Sequence, residues 1–332
     1  MEDAAVAARA IDNDYFDAYE DLDVHELMLR DRARTECYRA VLEVNRAYLK
    51  DRVVVDVGCG TGILSLFALE AGARRVYALE RSALADVARQ AARVNGYGEE
   101  RMVVLRGDAA SMEAPEKVDI LISEWQGFYL LHEGMLDAVI EARDRWLRPE
   151  GLILPTHAAL FVQPVRLPRP MQRRVEFWRS VYGFDFSHVA GTVLRQLRSR
   201  RAPHIVALEA DEVVGPGPQL VFDLDCRRVT VPELAEFRRQ VRLAVPRDTP
   251  CAGLGFWFDL SFDVVTHSPS SPAGRIVLST GPAADPTHWK QAVVLLPDTP
   301  TFSTDHELVC DIVLSKSPDN PRCYDISVLI RE

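Results

Sequence analysis

The chain has 332 residues, 48% hydrophobic and 27% charged, a composition that can fill cores in two domains and excludes wholesale disorder. Its net charge of −10 argues against a general binder of nucleic-acid backbones and suits a basic partner such as an arginine-rich peptide. No apolar run approaches the roughly 20 residues of a membrane helix, and the acidic start Met1-Glu2-Asp3 lacks the pattern of a secretory or mitochondrial signal, so an intracellular protein is expected. Cys37, Cys59, Cys226, Cys251, Cys310 and Cys323 are scattered without metal-ligand spacing, which predicts reduced thiols and no metal site.

Residues 1–14 read as an acidic terminus. After Tyr15-Phe16-Asp17-Ala18-Tyr19, a helical pattern runs through His25, Met28, Arg34 and Tyr38 to about Leu49, with Leu22, Leu29, Ala33, Val41 and Leu42 as a packing stripe. Arg52–Val57 then reads as a strand, Gly58-Cys59-Gly60-Thr61-Gly62 as a loop, and Ile63–Ala71 as a helix. The glycines let backbone approach a ligand, and the helix start offers unpaired N–H groups. A second strand, Val76–Leu79, ends in Glu80, whose carboxylate can accept hydrogen bonds from both hydroxyls of a ribose. Strand, turn, helix, strand and acid together predict a nucleoside site. The spacing is G-x-G-x-G, with Ile63 where a dinucleotide fingerprint needs its third glycine. Asp56 at the loop entrance would repel a pyrophosphate but could bind an amino acid's ammonium. S-adenosylmethionine is therefore favoured over NAD.

The alternation continues with a helix over Ala83–Val94, strands at Met102–Leu105 and Val118–Ile122, a helix over Glu133–Trp146, and a short strand from Gly151 to Leu154 before Pro155. Repeated β-then-α units predict an α/β, doubly wound, Rossmann-like domain over residues 1–155. At the end of its fourth strand, Glu124 and Glu133 bracket a loop holding Trp125 and Gly127, a place where paired acids would suit a cation. Residues 156–332 change character: Leu160–Val162, Ile205–Leu208, Leu220–Leu224, Gly255–Phe262, Ile276–Ser279, Ala292–Leu296, Leu308–Leu314 and Tyr324–Ile330 read as strands. A helical piece, Arg173–Tyr182, and the basic stretch Arg195–Arg201 interrupt them over about 171–201, as a binding or dimerisation element would. The basic stretch reads as a solvated helix face before a nuclear address.

These segments resemble the type I protein arginine methyltransferase family over nearly the whole chain. The resemblance rests on Tyr15-Phe16-x-x-Tyr19, His25-x-x-Met28-Leu29-x-Asp31-x-x-Arg34-Thr35, Val55-Asp56-Val57-Gly58-Cys59-Gly60-Thr61-Gly62-Ile63-Leu64-Ser65, Glu80, Ser123-Glu124-Trp125, Glu133 and Thr287-His288-Trp289-Lys290-Gln291. Leu130-Leu131-His132-Glu133, Leu278-Ser279-Thr280-x-Pro282 and Asp319-Asn320-Pro321-Arg322 are further similar to the nuclear, histone-directed member of that family. The resemblance implies a sheet domain joined through a cis-proline, at Pro155, to a β-barrel whose helical arm makes a homodimer.

It also implies site residues. Glu124 and Glu133 would grip the substrate guanidinium, with Asp31 and His288 paired across the domain junction as a proton relay. Phe16, His25, Arg34, Asp56, Gly58, Gly60 and Glu80 would bind S-adenosylmethionine, Arg34 by pairing its carboxylate. Tyr19, Met28, Trp125, Met135 and Trp289 would lie on the substrate side. The product would be mono- and asymmetric dimethylarginine on histone or other arginine-rich tails, in nucleus or cytoplasm, with no direct nucleic-acid or membrane contact. Three positions depart from the family pattern, Gln126 and Phe128 for its Met and Tyr, and Ala110 for a glutamate against the adenine. They keep open an alternative, a catalytically impaired arginine-peptide scaffold. An NAD oxidoreductase is disfavoured by Ile63.

Overall fold

The computed structural model describes residues 20–331. Among them, Val53–Val57 (β1), Arg75–Glu80 (β2), Met102–Arg106 (β3), Val118–Ile122 (β4) and Leu147–Leu154 (β5) form a parallel sheet in the order β3-β2-β1-β4-β5. β1 and β4 are buried along their whole length, which is why their sequences are apolar apart from one buried aspartate each, Asp56 and Asp119. Val55 pairs with Tyr77 on one side and with Leu121 on the other. The winding reverses between β1 and β4, so the crevice at their carboxyl ends is where a sheet of this kind takes its ligand.

The helices of this domain are Leu22–Arg30 (α1), Arg32–Val44 (α2), Arg46–Leu49 (α3), Ile63–Glu70 (α4), Leu84–Val94 (α5) and Leu136–Trp146 (α6). The single helix expected through residue 49 is broken at Asp31 and again at Asn45. Asp31 takes an extended backbone, closes α1, and caps α2 by accepting the Arg34 N–H on Oδ1 at 3.0 Å. A short carboxylate at such a position favours a new helix start over continuation. Asn45 is buried, donating to the Val41 and Asp263 carbonyls at 2.9 and 3.1 Å and accepting the Val265 N–H at 2.6 Å, which ties these helices to the second domain. The expected helix start at Glu133 is corrected too. α6 begins at Leu136, and Glu133 lies in the preceding loop.

The Leu154–Pro155 peptide is cis. Beyond it, His157–Val165 (β6), His204–Val206 (β7), Gln219–Asp225 (β8), Glu236–Val245 (β9), Gly253–Val264 (β10), Gly274–Ser279 (β11), Gln291–Leu295 (β12), His306–Lys316 (β13) and Tyr324–Arg331 (β14) build a barrel-like unit. One sheet runs β7-β12-β10-β6-β8 with β11 on β10, and the other runs β14-β13-β9. Phe222 of β8 stacks on Phe237 of β9 at 4.2 Å, closing the two sheets around a shared apolar core. β9 was not expected, because it opens on Glu236, Arg238 and Arg239 and shows its apolar alternation only from Val241 onward.

Arg169–Glu176 (α7) and Ser187–Arg198 (α8) form the arm. Met171, Val193 and Leu197 pack on Val206, Leu208 and Leu295 of the barrel, while Phe177, Tyr182 and Phe184 project into solvent. The basic stretch is largely the last turn of α8. No helix among the described residues is long and apolar enough to cross a membrane, and no cluster of three or more metal-ligating side chains occurs among them.

Candidate active site

The glycine loop leaves β1 with Gly58 at φ +72° and Gly60 at φ +52°, conformations that L side chains rarely adopt. Neighbouring side chains also crowd both positions. A Cβ on Gly58 would lie 2.2 Å from the Met135 terminal methyl, and one on Gly60 would lie 3.3 Å from the His25 ring. Glu80, at the end of β2, accepts the Gly60 N–H on Oε2 at 2.8 Å, and the Ser82 N–H and hydroxyl on Oε1 at 2.9 and 2.7 Å. The acid thus ties the glycine turn to the end of β2.

Asp56 is corrected in position. It does not reach the cavity wall but lies fully buried beneath the loop, where Oδ2 accepts the Ser65 hydroxyl at 2.7 Å and Oδ1 has no partner. The strand pleat points its side chain into α4 instead of the crevice. Burial, reinforced by the charge on Glu80, pushes its carboxyl up to about 7 despite the Ser65 hydrogen bond.

Glu124 leaves β4 two residues beyond its end. Arg34 of α2 pairs with its Oε2 in a contact that is nearly buried on both sides. Arg34, expected to pair with a cofactor carboxylate, lines the cavity with its Nη1 on Glu124, and its Nε is a buried donor with no partner. Around the loop, Tyr129, Leu130 and Glu133 all have positive φ, at 41°, 76° and 84°, in residue types that rarely adopt it. Such strain persists only where neighbours enforce it. Here the neighbours come from the barrel. The Glu133 N–H donates to the Arg322 carbonyl at 2.6 Å, Arg322 Nη1 donates to the Glu133 carbonyl at 3.1 Å, and the Tyr129 hydroxyl donates to the Tyr324 carbonyl at 2.9 Å. Trp289 Nε1 donates to the Gln126 carbonyl at 2.8 Å.

Asp31 and His288 meet as the resemblance implied. Asp31 Oδ2 accepts both the backbone N–H of His288 at 2.8 Å and its Nδ1–H at 2.7 Å. Burial alone would raise the Asp31 carboxyl, but the hydrogen bonds from His288 and Arg34 outweigh it and hold it below the ordinary carboxylate range.

These groups converge on one cavity of about 520 Å³. His25, Met28, Arg34, Gly58, Gly60 and Glu80 line it together with Glu124, Trp125, Glu133, Met135, His288 and Trp289, and so do Ala110, Gln126 and Phe128. Trp125 and Trp289 present little surface there, being buried and bonded into the loop. Asp31 stands behind His288. Phe16 and Tyr19 lie outside the described residues. Tyr38 and Arg322 were not anticipated as site residues. Tyr38 is fully buried and donates to the Ser123 carbonyl at 3.1 Å beneath Glu124, and a tyrosine on a helical apolar stripe carries no sign of that role.

Residues 156–331 match the model described as the arginine methyltransferase oligomerization subdomain, and residues 54–151 match a methyltransferase domain. The probable protein arginine N-methyltransferase 6 of Arabidopsis thaliana is 37% identical over 94% of this chain and 77% of its own length. The chain belongs to the protein arginine N-methyltransferase family. Protein arginine N-methyltransferase 1.1 of the same plant is 36% identical over 95% of this chain and 77% of its own. The Trypanosoma brucei PRMT1 enzyme–prozyme heterotetrameric complex with AdoHcy superposes with a TM-score of 0.81, at 31% identity over 94% of each chain. A PRMT6 structure with SAH gives 0.77, at 28% identity over 94% of this chain and 100% of that one.

The cofactor of this methyltransferase is S-adenosylmethionine, and the crevice fits it. The two glycines leave a cradle that any Cβ would fill, Glu80 supplies the acceptor at the ribose position, and Arg34 Nε is an unused buried donor on the same wall.

Proposed function

We propose that this chain transfers methyl groups to the guanidino nitrogens of arginine in protein tails, histone tails among them, giving mono- and asymmetric dimethylarginine, and that it does so as a homodimer in nucleus or cytoplasm. One observation carries the reading: Glu124 and Glu133, from opposite ends of a strained loop, line the same cavity as the glycine turn.

The bound cofactor supplies an electrophilic methyl on a sulfonium. The chain has to make a poor nucleophile reactive, since a guanidinium stays protonated to about pH 12 and its lone pairs are delocalised. Two carboxylates on different edges of the planar fork orient one terminal nitrogen and hold positive charge on the remainder. Arg34 fixes Glu124 from behind, so the acid meets substrate already oriented. Met135 narrows the space beside Gly58 and Met28 lines the same cavity, the pair that bears on how many methyls one nitrogen accepts. The proton released on methylation leaves through Glu133, or through His288 Nε2 while Nδ1 is held by Asp31. Tyr19 and Phe16 are proposed as substrate and adenosine contacts. Net charge supports the choice of a basic tail.

The scaffold reading draws on Gln126, Phe128 and Ala110, all on the cavity wall. Incubation of the protein with radiolabelled cofactor and an arginine–glycine-rich peptide separates the two. Label in asymmetric dimethylarginine, lost in Glu124→Gln, supports the enzyme. Peptide binding without label supports the scaffold.

A further inference from the structure

The family's usual methionine in the double-glutamate loop is Gln126 here, and its side chain is buried between the two residues that precede it. Only one orientation of the amide satisfies its surroundings. In that orientation Oε1 accepts the Trp125 Nε1–H at 3.1 Å, while Nε2 donates to Glu124 Oε1 at 3.2 Å and to the Tyr38 hydroxyl at 3.3 Å. The Tyr38 hydroxyl spends its own proton on the Ser123 carbonyl, so its oxygen is free to accept. The loop backbone at Gln126 is anchored separately, by Trp289.

Both oxygens of Glu124 are consequently engaged by the protein, Oε2 by Arg34 and Oε1 by Gln126. Each keeps one lone-pair direction for a guest. A carboxylate held at both oxygens is restrained against rotation about its terminal bond, and Glu124 so held lines the cavity. A methionine could offer Glu124 no donor and would leave the buried Trp125 N–H without an acceptor.

We propose that Gln126 is a positioning residue for methyl transfer, bracing the Glu124 carboxylate against Trp125 so that its free edge is set before the guanidinium arrives. The proposal rests on the arginine methyltransferase reading above. It assigns to Gln126 an effect on turnover more than on binding, because loss of alignment costs the reacting geometry while the charge attraction survives.

The test uses full-length protein and an arginine–glycine-rich peptide with three variants. Gln126→Met removes all three side-chain hydrogen bonds at nearly constant length, Gln126→Glu keeps the shape but turns the donor into an acceptor facing a carboxylate, and Glu124→Gln serves as the control for the parent reading. In Gln126→Met, kcat is expected to fall about tenfold, the scale of one hydrogen bond to a charged group. KM for the peptide and the Kd for cofactor should stay within about twofold, as expected for loss of alignment alone. Gln126→Glu should fall further, since two acids at hydrogen-bond distance repel. The indole N–H resonance assigned to Trp125, by its absence in Trp125→Phe, should move in Gln126→Met, reporting the brace independently of activity. An unchanged kcat in both Gln126 variants, or a Trp125 resonance that does not move, overturns the proposal while an active parent leaves the enzyme reading intact. If the parent itself transfers no methyl group, both fall together.

Discussion

Asp31 and His288, 257 positions apart, share a carboxylate oxygen that receives both the histidine's backbone N–H and its ring Nδ1–H. One acid therefore starts α2 with Oδ1 and fixes a barrel side chain with Oδ2. Asp31→Asn retains an acceptor for the cap but loses the charge that fixes the imidazole. Its kcat is expected to drop roughly 10–100-fold, the usual scale for removing an orienting partner, with cofactor Kd unchanged by calorimetry. The acid titration has a definite sign. Because the native carboxyl lies below its unfolded value, its stabilisation is complete above the ordinary carboxylate range and is lost as pH falls through the native value. The melting-temperature gap between parent and variant should accordingly close in acid.

Removing one partner of the Arg34–Glu124 pair leaves a buried charge exposed to no counterion. Glu124→Gln should abolish transfer and, on the scale of about 3–5 kcal/mol for broken buried pairs, lower the denaturant midpoint. Combining it with Arg34→Met should restore much of the midpoint and none of the activity. A double variant no more stable than Glu124→Gln alone would contradict this account.

Asp56 has the opposite pH sign. Its native carboxyl titrates at about 7, above the unfolded value, so the cost of burying it accumulates as pH rises from about 4 toward 7 and is constant beyond. Asp56→Asn removes that titration. The stability of the variant relative to the parent, measured without cofactor, should rise across this interval and then level off. A flat difference from pH 4 to 8 would show that Asp56 is not held protonated.

At the arm, Tyr182 is 99% exposed and Phe184 71%, an apolar tip with no cover among the described residues. Phe177→Ser combined with Phe184→Ser should convert the proposed dimer to monomer, read by light scattering at matched concentration. Unchanged mass would place the contact elsewhere.

Much of the sheet was legible because β1 and β4 are buried on both faces and so are apolar but for Asp56 and Asp119, while the loop glycines and Glu80 sit at spacings that depend only on local chain geometry. β9 hid because solvent-facing arginines dominate its first half. The left-handed backbone at Glu133 was not legible, since it is imposed by a partner far along the chain, Arg322, whereas the break at Asp31 has a local cause, its cap on the Arg34 N–H, which the longer helical pattern masked. The pairing of Arg34 with Glu124 was not legible either, because spacing within a helix says nothing of a carboxylate ninety positions away. The Asp31–His288 contact itself came from family resemblance and not from either residue's surroundings in the sequence.

The hydrogen bonds from residues 322–324 to Tyr129 and Glu133 mean that the first domain is not a detachable catalyst. A fragment ending at Pro155 would retain its nucleoside cradle but lose the clamp that bends the acidic corner. During synthesis, that corner can acquire its working shape only after the final hairpin has emerged and docked.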